Sequence, residues 1–306
     1  MNSPRSASLW LLFITFLWGL SFVIVKEALE QCGPYWFLFL RFTLAALAAL
    51  LFFRGVWSGA HRLAFLYGAV LSGVLYAGFL LQTLGLQFTS PSKSAFITGV
   101  SVILVPILGW MFFQARISLE VGLGVLTAFI GLYLLVRPDN LLEVNRGDLL
   151  TLGCAVVFAF HLLFVGRYAH SAAPGLLAVL QLGGAALLSL PISLAVETPR
   201  LDFSASFYVA LVYLAVFCSA LAFSVQIRAQ RHVSPARAAL IFSLEPVFAA
   251  MTSVIFYGDK LLWREWLGGA LVMAGVLLGE ASVLRSKCGT GRDFQRINQS
   301  QKELLK

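Results

Sequence analysis

Ten apolar runs of about twenty residues each follow one another between Ser8 and Leu284. A run of that length matches the roughly 30 Å hydrocarbon core of a lipid bilayer. A single run would also suit a signal peptide or a buried core helix, but no soluble domain could hide ten of them from water. The sequence therefore predicts an all-α polytopic membrane protein, whose function has to be inferred from the residues that interrupt the apolar runs.

The composition agrees with a membrane location. Of 306 residues, 59% are hydrophobic and only 12% are charged, against a charged fraction of about 25% in soluble domains. The net charge of +8 would suggest a nucleic-acid partner in a soluble protein. Here the positive residues lie mostly in loops and in the C-terminal tail, so we predict contact with the lipid bilayer and no nucleic-acid binding. The four cysteines lack CxxC spacing, and we expect neither a metal nor a cofactor.

The apolar runs and the turns between them predict ten membrane-spanning helices. Turn residues such as Gly33-Pro34, Ser90-Pro91 and Ser234-Pro235 separate consecutive runs. Because the connections are short, consecutive helices are expected to lie antiparallel to each other. The predicted helices cover residues 8–26, 34–53, 64–86, 90–113, 118–136, 148–167, 174–195, 205–228, 235–256 and 262–284.

The two halves of the chain resemble each other. At a shift of 144 residues, Gln82 falls on Gln226, and Gly124 and Gly131 fall on Gly268 and Gly275. Each half holds five helices, so the second half must enter the membrane in the opposite direction. Such inverted repeats give a transporter two near-equivalent conformations around a site close to the membrane midplane. The repeat therefore favours transport before any motif is considered.

The repeat also divides the chain into segments. We predict a first five-helix repeat at residues 8–136, an inter-repeat loop at 137–146 and a second five-helix repeat at 147–284. Residues 285–306 form a basic, polar tail, which is expected to lie in the cytoplasm.

Glu245 is the clearest functional candidate, because ionisable residues inside membrane helices are costly and are usually functional. It lies about 16 Å along the ninth predicted helix, near the midplane. Pro246 follows it and removes a backbone donor, which predicts a bend beside the carboxylate. We expect Glu245 and Pro246 to serve coupling or gating, with a structural carboxylate as the alternative.

The remaining candidates are polar or aromatic residues near the middle of the predicted helices. Arg41 could bind an anionic group, pair with Glu245, or extend to a membrane interface. His161 would suit proton relay or an ordinary interhelical hydrogen bond, and Gln82 with Gln226 would either bind substrate or join helices. The predicted substrate-binding set is Trp18, Ser21, Arg41, Tyr76, Gln82, Thr98, His161 and Gln226.

These motifs resemble those of the drug/metabolite transporter superfamily, specifically its EamA type. Trp18-Gly19-Leu20-Ser21-Phe22 resembles the family's opening motif, and Leu244-Glu245-Pro246-Val247 resembles its Glu-Pro signature. Residues 90–93 and 234–237 resemble its paired Ser-Pro motifs at helix starts. Gln114-Ala115-Arg116 departs from the pattern, because an acidic residue is common there. The resemblance covers residues 8–284 and implies a ten-helix transporter of small metabolites, such as amino acids, with a central cavity.

We therefore predict a secondary transporter, and specifically an exporter, in a bacterial inner membrane. The chain has no GxxxxGK[ST] phosphate loop, so a proton gradient or the substrate's own gradient would supply the energy. The alternative is an intramembrane enzyme acting on a lipid or isoprenoid substrate. The sequence lacks the HExxH and GxSxG motifs that such chemistry often uses, so we expect no enzymatic activity.

The distribution of positive charge predicts both termini in the cytoplasm. Apart from Arg41, fourteen Lys and Arg residues lie on the N-terminal side of the membrane and seven on the other, and the cytoplasmic side normally carries the excess. A reporter enzyme fused after Lys306 should be active when it requires the cytoplasm and silent when it requires the periplasm. A periplasmic tail would overturn this topology.

Overall fold

The computed structural model describes residues 1, 3–53, 55, 57, 61–136, 144–257 and 261–286, and within these ranges the chain is helical with no strand. Most of the predicted inter-repeat loop, at 137–143, and most of the tail, at 287–306, lie outside the described residues. The α-helices are α1 (Pro4–Gly19), α2 (Ser21–Gln31), α3 (Pro34–Phe52), α4 (Arg62–Phe88), α5 (Pro91–Gly99), α6 (Ser101–Phe113), α7 (Leu119–Val136), α8 (Arg146–Tyr168), α9 (Pro174–Val196), α10 (Ala205–Val212), α11 (Ala222–Ala229), α12 (Pro235–Phe242), α13 (Glu245–Tyr257) and α14 (Trp263–Ser286), with a π-helical turn (Tyr213–Leu221) between α10 and α11.

The all-helical membrane fold predicted from the sequence is confirmed. Within the described part of the chain, eight helical segments are long and apolar enough to cross a membrane, judged by length and composition. The segment formed by α12 and α13 and the helix α14 take the places of the ninth and tenth predicted helices. Exposed Leu, Phe and Trp side chains cover the outer surface, as expected where lipid replaces water.

Four of the ten predicted helices are interrupted in the structure. The first predicted helix extends from residue 4 to 31 rather than 8 to 26, and it is interrupted at Leu20. The fourth breaks at Val100, the ninth breaks at Ser243 and Leu244, and the eighth contains the π-helical turn. Pro246 had indicated only the break in the ninth helix.

Two of these breaks are related by the internal repeat. The N–H of Val100 donates to the carbonyl of Ile97 at 3.1 Å, and the N–H of Leu244 donates to the carbonyl of Ile241 at 3.1 Å. Each bond spans three residues and tightens the end of a short helix, which is a common way to end an α-helix. Since Leu244 stands 144 residues after Val100, both halves of the molecule break the corresponding helix at the same place.

A glycine contact joins α7 of the first half to α14 of the second. A Cβ on Gly124 would lie 2.5 Å from the carbonyl oxygen of Gly275, and a Cβ on Gly131 would lie 2.6 Å from that of Gly268. No real Cβ tolerates such distances, so the two backbones approach more closely than any other residue would allow. Gly124 thus meets the repeat mate of Gly131, and Gly131 meets the repeat mate of Gly124. This reciprocal pairing is the arrangement expected of a pseudo-twofold axis.

Polar contacts secure the two helices that begin with Ser-Pro. Lys93 of α5 forms an ion pair with Asp148 of α8 at 2.6 Å. At the corresponding position of α12, Arg237 pairs with Glu280 of α14 at 2.8 Å and also donates to Ser8 of α1 at 3.4 Å. The structure thus assigns both basic residues to interhelical contacts.

We predict that Gly131→Ala lowers the thermal stability of the purified protein, because overpacking of this kind usually costs about 1–3 kcal/mol. Gly122→Ala is the matched control on the same helix, since a Cβ there meets no atom within 4 Å. Gly122→Ala should leave the melting temperature unchanged or raise it slightly, because Ala favours helix over Gly. Equal effects of the two substitutions would show that the glycine contact does not hold α7 to α14.

Candidate functional site

A cavity of about 100 Å³ is lined by residues from both halves of the chain. Three helix breaks meet at this cavity, because Ser21, Ser101 and Glu245 all contribute to its wall. These residues are the first residues of α2, α6 and α13 respectively. In a membrane protein, irregular backbone is tolerated where it lines a cavity, so the interruptions and the cavity belong together.

The structure brings most of the predicted site residues to this cavity and leaves two aside. Tyr76 is 5% exposed and packs in the helical core, and no described residue bonds to its hydroxyl. Pro246 lines a neighbouring groove rather than the cavity. The predicted residues that line the cavity are Trp18, Ser21, Arg41, Gln82, Thr98, His161, Gln226 and Glu245.

Glu245 enters the cavity from the first position of α13. Among the described residues it has neither a hydrogen-bond donor nor a salt-bridge partner. Gly19 of α1 passes directly behind it, where a Cβ would lie 2.9 Å from the Glu245 carbonyl oxygen. The glycine of the opening motif is therefore needed for close contact between α1 and the backbone at the start of α13.

Arg41 is buried, with 3% of its surface exposed. Its Nε donates to the Ser219 hydroxyl at 3.0 Å, and its guanidinium lies 4.5 Å from the centre of the Phe79 ring. It forms no ion pair with Glu245, although both line the cavity. Two sequence-based alternatives, a permanent Arg41–Glu245 pair and extension to a membrane interface, are therefore not found in this structure.

His161 is 2% exposed and bonds through Nε2 to the Gln181 side-chain oxygen at 3.1 Å. Its ring also packs edge-on against Phe223, with 5.7 Å between ring centres. These contacts match the interhelical hydrogen bond that was one of the two alternatives for this residue.

The two repeat-related glutamines have different surroundings. Gln226 donates to Gln230 at 3.3 Å, and Gln230 donates to the Leu162 carbonyl at 3.0 Å, which joins α11 to α8. The Gln226 side-chain oxygen is buried and has no partner among the described residues. Gln82 lines the same cavity from α4. Gln226 thus bonds to Gln230 at the end of its own helix, and its side-chain oxygen is an acceptor without a described partner in a residue that lines the cavity.

Trp18 joins α1 to the π-helical turn. Its indole N–H donates to the Cys218 carbonyl at 2.8 Å, and the Tyr213 hydroxyl donates to the Leu17 carbonyl at 2.7 Å. Widened or broken helical turns leave carbonyls without their usual partners, and here each irregular helix satisfies a carbonyl of the other. The same indole packs against Phe242 at 5.0 Å between ring centres.

Sequence reasoning missed several residues of this site. Phe79, Phe158, Phe223 and Phe242 line the cavity. The 144-residue correspondence pairs Phe79 with Phe223, but nothing in the sequence separates Phe158 and Phe242 from the other phenylalanines. Ser101 could have been found, because it stands 144 residues before Glu245. Ser219 could not, because its role depends on a π-helical turn that has no proline or glycine to mark it.

Comparison with known proteins is consistent with this geometry. The EamA-like transporter family matches residues 5–137 and 145–279, which together span most of the chain. The chain belongs to the EamA-like transporter family. The resemblance drawn from its motifs is thereby confirmed.

Relatives of this EamA-like protein are named as transporters. An "Uncharacterized transporter" of Archaeoglobus fulgidus is 30% identical over 272 residues, covering 89% of this chain and 85% of the relative. The "Uncharacterized inner membrane transporter YedA" of Escherichia coli K12 is 26% identical over 278 residues, covering 90% of each. A solved crystal structure matches with a TM-score of 0.75 at 17% identity, covering 92% of this chain and 99% of that one, which shows a shared fold.

We predict that a cysteine in place of Gln82 reacts with small aqueous thiol reagents, because Gln82 lines the cavity. The experiment uses a background in which the four native cysteines are replaced by alanine. Ser189→Cys is the matched control, since Ser189 is fully buried in α9 and is not part of the cavity wall. Slow reaction at both positions would mean that the cavity is closed to water.

Proposed function

We propose that this EamA-like protein is a secondary exporter of small zwitterionic metabolites, such as amino acids and related compounds. The observation that carries the proposal is the presence of two opposite charges, Arg41 and Glu245, in one cavity without a bond between them. A zwitterion presents the complementary pair of charges. The phenylalanine rings of the same wall offer an apolar surface for the rest of the solute.

Glu245 takes the role of coupling residue in this proposal. An ionised carboxylate without a partner costs several kcal/mol inside a membrane protein, so it requires a proton or a cation. A proton and the ammonium group of a substrate can both fill that place, and alternation between them would couple transport to a proton gradient. The helix break at Ser243 and Leu244 gives α13 freedom to move with the carboxylate.

Alternating access follows from the repeat. The segments 8–136 and 147–284 would rock against each other and open the cavity to one membrane face and then to the other. Relatives named as inner membrane transporters support an inner-membrane location, and the positive charges favour cytoplasmic termini. The names of these relatives also favour transport over the alternative, an enzyme that acts on a lipid or isoprenoid substrate.

We predict that Glu245→Gln leaves a folded protein but reduces solute exchange by roughly tenfold or more. This is the factor expected when a charge-assisted hydrogen bond of about 1.5–3 kcal/mol is lost. The measurement is counterflow of a panel of radiolabelled neutral amino acids in liposomes, at mildly acidic and mildly alkaline pH. The pH dependence of the wild type should disappear in the variant.

Glu27→Gln is the matched control, because Glu27 lies on the exposed face of α2 outside the cavity wall. It should exchange solute at the wild-type rate. Wild-type exchange and unchanged pH dependence in Glu245→Gln would remove Glu245 from the mechanism.

A further inference from the structure

Arg41 is a buried cation at the cavity wall. No carboxylate in the described part of the chain forms a salt bridge with its guanidinium. Burial of an unpaired charge costs several kcal/mol, so this position is expensive unless an anion approaches from elsewhere. Arg41 lines the cavity, and the cavity is the direction from which such an anion can come.

Ser219 fixes the orientation of Arg41. Its hydroxyl accepts from Arg41 Nε at 3.0 Å and donates to the Leu214 carbonyl at 2.8 Å. The donated bond spans five residues, whereas a serine in an α-helix usually bonds three or four residues back. The π-helical turn therefore places the Ser219 hydroxyl where it can meet Arg41, and π-helical turns occur frequently at functional sites.

Contacts with Phe79 and with α1 keep this arrangement in place. The Phe79 ring lies against the guanidinium at 4.5 Å, a cation–π contact that restricts the plane of the group. Trp18 and Tyr213 bond the π-helical turn to α1 at 2.8 and 2.7 Å, so two hydrogen bonds fix the turn to that helix. Of the five guanidinium donors, Ser219 occupies the one on Nε, and the other four are on the two terminal nitrogens.

The surrounding backbone also favours an anion. The N-termini of α2 and α6, at Ser21 and Ser101, reach the same cavity. The N-terminus of a helix carries partial positive charge and free N–H groups, which together attract anions. Two such ends and one oriented guanidinium thus line the same cavity.

We propose that Arg41, oriented by Ser219 of the π-helical turn, forms a carboxylate-binding subsite of the cavity. Arg41 binds the carboxylate through its terminal nitrogens, and Ser219 is a positioning residue. The inference deepens the proposed function and rests on it, because the carboxylate belongs to the transported solute. In this arrangement the zwitterion binds with its carboxylate at Arg41 and its ammonium group at Glu245.

The test is a binding measurement that does not require transport. Sodium propionate is titrated into the purified full-length protein in detergent at constant ionic strength, with sodium chloride as the balancing salt, and the melting temperature is followed. Propionamide is the uncharged probe of the same shape. Ligand that binds only the folded state raises the melting temperature in proportion to its affinity.

Propionate should stabilise the wild type saturably, and propionamide should not. Ser219→Ala should weaken the apparent propionate affinity by about tenfold, the factor for one hydrogen bond to a charged group. Ser219→Thr, which keeps the hydroxyl, should restore the affinity.

Ser224→Ala is the matched control. This serine lies on the same membrane-crossing segment and bonds only to the Ala220 carbonyl at 2.5 Å, so its variant should bind propionate like the wild type. Arg41→Gln should abolish the propionate effect, and if that variant does not fold, the comparison of the two Ser219 variants still decides.

The proposal is overturned if the wild type shows no propionate stabilisation, if propionamide stabilises equally, or if Ser219→Ala binds propionate as well as Ser224→Ala does. Failure of the proposed function gives a different result. A protein that binds propionate through Arg41 but exchanges no amino acid in liposomes would retain the subsite and lose the exporter assignment.

Discussion

The glycine contact between α7 and α14 is the constraint on which the rest of the molecule depends. Gly124 meets Gly275 and Gly131 meets Gly268 at distances that exclude any Cβ. The contact joins the last described helix of each half, and its crosswise pairing sets the two halves in a pseudo-twofold relation. Because α7 and α14 contribute nothing to the cavity wall in the described structure, they can stay packed while the cavity-lining helices move. The proposed rocking of the halves needs a fixed contact of this kind.

Around that contact, the irregular helices position the charged and polar residues of the cavity. The breaks at Leu20, Val100 and Leu244 and the π-helical turn interrupt helices that a lipid environment would otherwise keep regular. Trp18 and Tyr213 satisfy carbonyls across the irregular segments, so the structure compensates for the loss of regular bonds. The same irregularity brings Glu245 to the start of a helix and gives Ser219 its bond to Arg41. Charge and backbone irregularity therefore occur together at the cavity.

The sequence predicted the parts of this arrangement that leave a periodic or chemical signal. Apolar runs of membrane length and the 144-residue correspondence revealed the helices and the repeat, and Pro246 marked a break. The break at Val100 has Gly99 beside it but no proline, and the π-helical turn lies in an unbroken apolar stretch, so the first has only a weak local signal and the second has none. Arg41 was identified as a candidate, but its partner Ser219 is distant in sequence. Tyr76 was placed in the substrate-binding set as a polar residue near the middle of a predicted helix, and yet it packs in the helical core and is not part of the cavity wall.

The account requires that one cavity be reached from both membrane faces in turn. The most direct measurement is sided labelling of Ser21→Cys, in a background without native cysteines, with a membrane-impermeant thiol reagent applied to right-side-out and to inside-out vesicles. Ser21 begins α2 on the cavity wall, so it should react from each side, and a transported solute should slow both reactions. Reaction from one face only, under every condition of solute and pH, would show that the cavity opens to one side of the membrane alone. That result would contradict alternating access.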